Sequence, residues 1–445
     1  MQKSQTSYDA IVVGSGPGGA TVARELAAQG KSVLILEWGD NDPIKGTLFQ
    51  MAPKAFVPGK SLYVTGQALG MVRVIATGGS SQLYCATAFE PPVDMLKKYD
   101  VDISEEVEEI RNAVPMDQLS EELMSPAGRV FYDSAKALGY DVKKLNKFIY
   151  QDKCETDCQK CLYGCPTGAK WFAGNFVEEA LANGAIMINK AKVSKVMIEN
   201  NRAVGVEFKH DKQVKRAWAD KIIVAAGGIG SPLILRASGI PDVGHDFFFD
   251  PLIYTFGKFD AVEGKGKGVP MSAGIHFEDE GIVMTDFNLP HLMKIAFDLE
   301  VFKFGQAFSY SNVVPIMIKV KDSLGGSIKN GAWVWKMLKD TDKLKLDTGY
   351  EHAKRILEHA GAAKVYRSWL IAAHPGGTVK IGKHLDANLK TEFENLYVCD
   401  CSVIPEAWGL PPTFTLLALG KRLGKHILGD AQFSSAKAKG FFVAA

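Results

Sequence analysis

Tyr8-Asp9-Ala10-Ile11-Val12-Val13 runs straight into Gly14-Ser15-Gly16-Pro17-Gly18-Gly19, and this junction decides the fold. The first six residues are an apolar, β-branched run of strand length. Ala20 to Gln29 is rich in helix formers, with Val22, Ala23, Leu26 and Ala27 on one face, and Gly30 ends it. Ser32 to Leu36 reads as a second strand, closing with Glu37. Strand, glycine turn, helix and strand together predict the start of a βαβ unit that binds a dinucleotide. In the pattern Gly14-x-Gly16-x-x-Gly19 the first glycine allows the tight turn, the second admits a pyrophosphate, and the third lets helix and strand pack. The free N–H groups of the helix N-terminus face the phosphates. Glu37, at the end of the second strand, accepts hydrogen bonds from a ribose.

Outward from this unit, Lys98 to Lys147 is more charged and reads as helical, and Phe172 to Asn183 is another helix. Lys192 to Phe208 reads as a hairpin turning at Glu199-Asn200-Asn201. Lys221 to Ala225 is a buried strand meeting a second glycine-rich turn. Phe247 to Val320 alternates between apolar and polar stretches, the pattern of an antiparallel sheet. Gly349 to Ala360 is helical, and Leu396 to Gly429 is strand, loop and helix. The chain therefore leaves the nucleotide unit for a sheet domain and comes back. A net charge of +2 gives no electrostatic case for nucleic acid or an anionic membrane. No apolar run approaches the ~20 residues of a transmembrane helix. The polar stretch Met1 to Ser7 lacks the zones of a signal peptide, so a cytoplasmic protein, possible membrane-peripheral contact included, is the expectation.

Four further segments carry a family resemblance. Gly78-Gly79-Ser80-Ser81-Gln82-Leu83-Tyr84 resembles the first signature of the glucose-methanol-choline (GMC) oxidoreductases. Ala226 and Gly227-Gly228-Ile229-Gly230-Ser231-Pro232 resemble the second. His374-Pro375-Gly376-Gly377-Thr378, with Val398-Cys399-Asp400-Cys401-Ser402, resembles the C-terminal region. The likeness spans nearly the whole chain. It implies an α/β fold in which a Rossmann-type FAD-binding domain joins a substrate domain built on an antiparallel sheet. The implied organisation is an FAD-binding domain in three parts (1–97, 171–245 and 374–430), a helical cap segment (98–150), a cysteine segment (151–170), a substrate domain (246–373) and a tail (431–445). The resemblance places FAD against Gly14, Gly16, Pro17, Gly18, Gly19, Glu37, Gly78, Gly79, Ser80, Ser81, Val193, Ala226, Gly227, Asp400, Pro412 and Thr413. Leu83 stands where some members carry the histidine that bonds to the flavin, so FAD is expected to be non-covalent. Tyr84 replaces the usual Asn, and Cys85 follows at a position near the reactive edge, where it is otherwise a small buried hydrophobe.

Cys154-x3-Cys158-x2-Cys161-x3-Cys165-Pro166 is the second strong signal. Thiolates at this spacing suit an iron–sulfur cluster or zinc, with free thiols as the remaining alternative. The segment resembles the cluster region of the large subunits of FAD-dependent sugar and gluconate dehydrogenases, which pass flavin electrons to an outside acceptor. The expectation is a 4Fe-4S cluster on the four cysteines, or 3Fe-4S on three of them. Zinc has no redox role, whereas a cluster gives electrons a one-at-a-time exit.

His374 is the expected base, because taking hydride from a carbinol carbon requires removal of the hydroxyl proton. Tyr84 and Cys85 are the other candidates for the catalytic set. The family usually has His or Asn at the position of Pro411, which cannot donate or accept through its side chain; Tyr84, Trp408 and Thr413 are the candidate substitutes. Met293, Ile295, Phe297, Phe302, Phe304 and Phe308 form an aromatic-rich stretch that suits an apolar pocket, a membrane surface or core. The leading expectation is an FAD- and iron–sulfur-dependent dehydrogenase. It takes a small alcohol-type substrate and delivers electrons to a protein or quinone, with a small accessory subunit as an option. The alternatives are a reductase or desaturase acting on C–C bonds, and an electron-transfer subunit.

Overall fold

Ser7–Val13 forms strand β1, buried at every position after the first. A strand buried on both faces belongs in the middle of a parallel sheet, and β1 lies between β2 (Val33–Leu36) and the end of a later strand, parallel to both. The structure is a computed structural model that describes residues 7–65, 67, 69–260, 267–304, 312–329, 333–430, 433 and 443–444. Helix α1 (Pro17–Ala28) follows the glycine turn, with Pro at its start and eight buried residues along its inner face. Beyond β2 the sheet continues into β3 (Ile186–Ile188). On its other side stand β4 (Lys192–Glu199), β5 (Arg202–His210) and β6 (Gln213–Val224), in the order β4-β5-β6-β1-β2-β3.

The hairpin and its turn fall where the sequence places them, with Asn200 and Asn201 at positive φ. The strand predicted at Lys221 to Ala225 is the end of the longer β6, whose first half pairs antiparallel with β5 and whose second half pairs parallel with β1. Helix α2 (Gly227–Ala237) leaves the top of β6. The segment from Lys98 to Lys147 is not one helix. It is broken into Ser104–Ala113, which stops where Val114 is extended, and Pro126–Ala137, after which Gly139 turns the chain at φ +83°.

The second sheet is antiparallel over residues 251–320, as the alternation predicts, with one parallel pairing where Ile371 and Ala372 meet Gly70 and Met71. Its core is β7 (Pro251–Lys258), β8 (Ala273–Phe277), β9 (Ile282–Asp286) and β10 (Val313–Val320), in the order β7-β10-β9-β8. Helix α3 (His291–Glu300) lies between β9 and β10 in the chain, inside the stretch whose alternation reads as antiparallel sheet, and corrects that reading there. Helix α4 (Asp340–His359) packs on this sheet and starts earlier than predicted. The chain then crosses back through β11 (Ile371–Ala372), β12 (Leu396–Val398), parallel to β6, and helix α5 (Thr413–Leu428), which packs on α1. Among the described residues no helix is long and apolar enough to cross a membrane.

Candidate active site

A cavity of about 840 Å³ runs between the two sheets. One half is walled by the α1 turn, Glu37, the 79–81 turn, Val193, the 226–230 turn, Asp400, Pro412 and Thr413. Gly14 takes φ +101°, and a Cβ on Gly19 would stand 2.3 Å from the Gly14 carbonyl oxygen, so both are fixed by the turn itself. Gly18 is pressed in the same way on the Cys399 carbonyl. A Cβ at Gly16, in contrast, meets nothing within 4 Å. Glu37 accepts from Ser15 N at 3.0 Å and Ser15 Oγ at 2.6 Å on one oxygen, and from Gly39 N at 2.7 Å on the other. Burial pushes its carboxyl up against those bonds. Asp400 accepts from Gly227 N at 2.9 Å and from Ser402 N at 2.8 Å, and the Ser231 hydroxyl also donates to it. Ser81 donates to the Gly78 carbonyl, and the Ser80 hydroxyl accepts from Val74 N. Pro412 precedes α5 with no side-chain cap, which leaves that helix's first N–H groups to the cavity.

His374 stands on the opposite wall at φ +52°. Its Nδ1 is 3.2 Å from Asp250 Oδ2 and 3.5 Å from Lys319 Nζ. A carboxylate beside Nδ1 fixes the proton there, so Nε2 carries the lone pair. Nε2 has no hydrogen bond to any described residue. Burial and the Lys319 charge hold the imidazole below its ordinary pKa, with Asp250 acting the other way. Asp250 and Lys319 are each 1% exposed and 3.5 Å apart. Behind them, Asp322 accepts from the Phe249 and Asp250 N–H groups and pairs with Lys336 at 2.6 Å. Burial pushes the Asp322 carboxyl up to about 6.

The floor beyond His374 comes from the second sheet. Leu252 pairs with Lys319 and Tyr254 with Met317 across β7 and β10, and all four line the cavity. Met271, Phe287, Leu289, Met293 and Phe297 complete an apolar wall. Met293 and Phe297, one helical turn apart on α3, thus face the cavity. Phe302 and Phe304 are 79% and 59% exposed, Ile295 is half-buried, and Phe308 lies outside the described residues. Tyr84 and Cys85 also line the cavity. The Tyr84 hydroxyl donates to the Trp171 carbonyl at 2.6 Å, and burial pushes the Cys85 thiol up to about 12. Pro411 and Thr413 are in the wall; Trp408 is not among the lining residues.

Models of the GMC oxidoreductase N- and C-terminal domains match residues 8–252 and 331–420. The chain belongs to the GMC oxidoreductase family. A GMC-type oxidoreductase of Mycobacterium tuberculosis, itself uncharacterized, is 30% identical over 64% of this chain and 49% of its own length. The chain thus spans about half of that relative. A long-chain-alcohol oxidase of Arabidopsis thaliana is 24% identical over 92% of this chain and 65% of its own length. The crystal structure of pyridoxine 4-oxidase from Mesorbium loti shares the fold, with a TM-score of 0.71 and 16% identity over 94% of this chain and 99% of the other.

As a GMC flavoprotein, the chain has a nucleotide half that fits FAD on its own geometry. The open space at Gly16, the uncapped start of α5 and the engaged Glu37 carboxylate form a cradle for a diphosphate and a ribose. Sequence reasoning missed Asp250, Lys319 and Arg73. Arg73 lines the cavity with its guanidinium 5.5 Å from the Trp38 ring, and Lys192 lies 4.5 Å from the same ring.

Cys154, Cys158, Cys161 and Cys165 line one small second pocket with Thr167 and Lys170. Among the described residues, no three His, Cys, Asp or Glu side chains are arranged to hold a metal ion. The expected metal centre is therefore not displayed as such by the structure. Buried Lys170 joins the two pockets, donating to the carbonyls of Gln82 at 2.7 Å, Tyr84 at 3.0 Å and Cys161 at 2.7 Å. Cys161 faces the cysteine pocket, and its neighbour Leu162 faces the large cavity.

Proposed function

We propose that this protein is an FAD-dependent dehydrogenase that oxidises the CH–OH group of an apolar alcohol. The observation that carries the reading is His374, which Asp250 orients with Nε2 unpartnered, where the nucleotide half meets the apolar floor. FAD sits non-covalently. Gly14 to Gly19 and the start of α1 hold its diphosphate, Glu37 a ribose and Val193 the adenine side; Gly78 to Ser81, Ala226, Gly227, Asp400, Pro412 and Thr413 lie toward the flavin. When bound, FAD supplies a two-electron acceptor for a hydride. His374 Nε2 takes the hydroxyl proton, and Leu252, Tyr254, Met317 and Phe297 exclude water from the apolar body of the substrate. Tyr84 and Cys85 serve as wall residues: the Tyr84 hydroxyl is engaged by Trp171, and Cys85 is a neutral thiol at neutral pH.

The four-cysteine pocket is the proposed seat of an iron–sulfur cluster. What supports the reading is the spacing Cys154-x3-Cys158-x2-Cys161-x3-Cys165 and the one small pocket that the four residues share. Loaded, it supplies a one-electron exit to an external protein or quinone, directly or through an accessory subunit. Stoichiometric zinc without iron in anaerobically purified protein would contradict this part.

The test of the main reading is His374→Ala. The variant keeps its FAD spectrum and loses roughly 10²- to 10⁴-fold in the anaerobic rate of flavin reduction by substrate. An unchanged rate removes His374 as the base.

A further inference from the structure

We propose that Lys319 is a further catalytic residue: its ammonium donates a hydrogen bond to the substrate oxygen, the task that Pro411 has no side chain to perform. The proposal rests on reading the cavity as an alcohol site.

The strand register carries the argument. Along β10, residues 317 and 319 point to one face, and opposite them on β7 stand Tyr254 and Leu252. Three of these four cavity-lining side chains are apolar or aromatic, and Lys319 is the one charge among them. It stands at the His374 end, 3.5 Å from Nδ1. An ammonium carries three donors. Nδ1 donates to Asp250 and therefore cannot accept from Lys319, and the bond from Nζ to Asp250 Oδ2 is long, at 3.5 Å. A buried cation is costly unless paired and hydrogen-bonded, and among the described residues only one long ion pair answers this one.

The Pro411 loop converges on the same strand end. A Cβ on Gly409 would lie 3.0 Å from the backbone N and Cα of Lys321, two residues beyond Lys319. Lys319 and Pro411 line the same cavity, and the proline brings no polar side chain to it.

The chemistry balances. The substrate O–H proton passes to His374 Nε2. The C–H bond breaks, and its hydrogen leaves with the electron pair to the bound two-electron acceptor as C=O forms. The carbon loses two electrons and the acceptor gains them. Negative charge gathers on the oxygen as the proton departs, and a fixed cationic donor in a water-poor site stabilises it there.

Benzoate tests this without turnover, because its carboxylate copies the charged oxygen and its ring the apolar body. Binding to the oxidised holoenzyme is followed by the change in flavin absorbance. Wild type binds benzoate at least tenfold tighter than neutral benzamide. Lys319→Met and Lys319→Gln, checked for FAD content, lose that preference, and Lys319→Arg keeps part of it. Equal wild-type affinity for the two probes overturns the proposal, as does retention of the preference in either neutral variant. Wild type suffices for the first comparison if the variants fail to fold. Failure of every alcohol to reduce the flavin would count against the alcohol reading and leaves the benzoate result to judge Lys319.

Discussion

Asp250 and His374 both take left-handed backbone angles, φ +47° and +52°, and they face each other across 3.2 Å. Non-glycine residues in this region cost about 1–3 kcal/mol each and persist where their surroundings fix them. Here two strained residues hold one imidazole in a single orientation. The His374 motif is local, so the sequence exposes it. Asp250 and Lys319 are invisible to that reading, because only the β7–β10 pairing brings residues 69 apart in the chain together. Nothing in Phe248-Phe249-Asp250 or Ile318-Lys319-Val320 marks either as more than a lone charge in an apolar run.

The His374 environment also sets a pH dependence. Its pKa lies below the ordinary value of about 6.5. The neutral, basic form therefore persists at neutral pH and is lost only as pH falls through that lowered value. The acid limb of flavin reduction should lie below about pH 6.5. Asp250→Asn removes the one partner that favours the protonated ring. The limb then moves further down in pH, while the plateau rate falls roughly 10²-fold or more, since the ring also loses its orientation. A wild-type limb at or above pH 6.5, or an unchanged plateau in the variant, contradicts this account.

At the scale of elements, the first βα turn is the best-read part of the chain, because its glycines stand in one short run between a strand and a helix, although Gly14 and Gly18 are pressed by the distant Ala225 and Cys399 carbonyls. The structure separates their tasks. Gly19→Ala drives a Cβ onto a backbone oxygen at 2.3 Å and should lower the unfolding midpoint with or without FAD. Gly16→Val projects into open cavity and should fold normally but lose FAD, read by flavin content after gel filtration. Equal loss of stability in both variants would mean that Gly16 also serves packing. The cysteine segment is legible as a spacing and not as a geometry. Lys170, with three bonds to residues 82, 84 and 161, ties the segment to the cavity wall, and the spacing alone does not reveal that tie. Cys161→Ser and Cys165→Ser should remove iron and sulfide, while Cys399→Ser, buried against Gly18, should keep both. Helix α3 escaped the sequence reading because its apolar residues serve two surroundings: Met293 and Phe297 turn to the cavity, and Leu292 and Leu299 turn outward.

Over the whole molecule, the cavity is built by residues from both ends of the chain and from the sheet between them. Val13 and Gly14 stand on the same wall system as Thr413 and Leu416, and β7 and β10 close it from the other side. Departure from the nucleotide sheet and return to it were legible from the order of α/β, sheet and α/β segments. The apolar character of the floor was not, because it depends on which alternating face of β7 and β10 turns inward. That composite cavity makes the central claim a joint one: one space holds FAD and an apolar alcohol with its carbinol carbon at the flavin. Anaerobic titration of the FAD-loaded wild-type protein with benzyl alcohol, 1-octanol and a polar control such as glycerol tests it most directly. The account predicts bleaching of the oxidised flavin band by an apolar alcohol, with the matching aldehyde formed in equal amount and glycerol far slower. A flavin that dithionite reduces but no alcohol bleaches would contradict it.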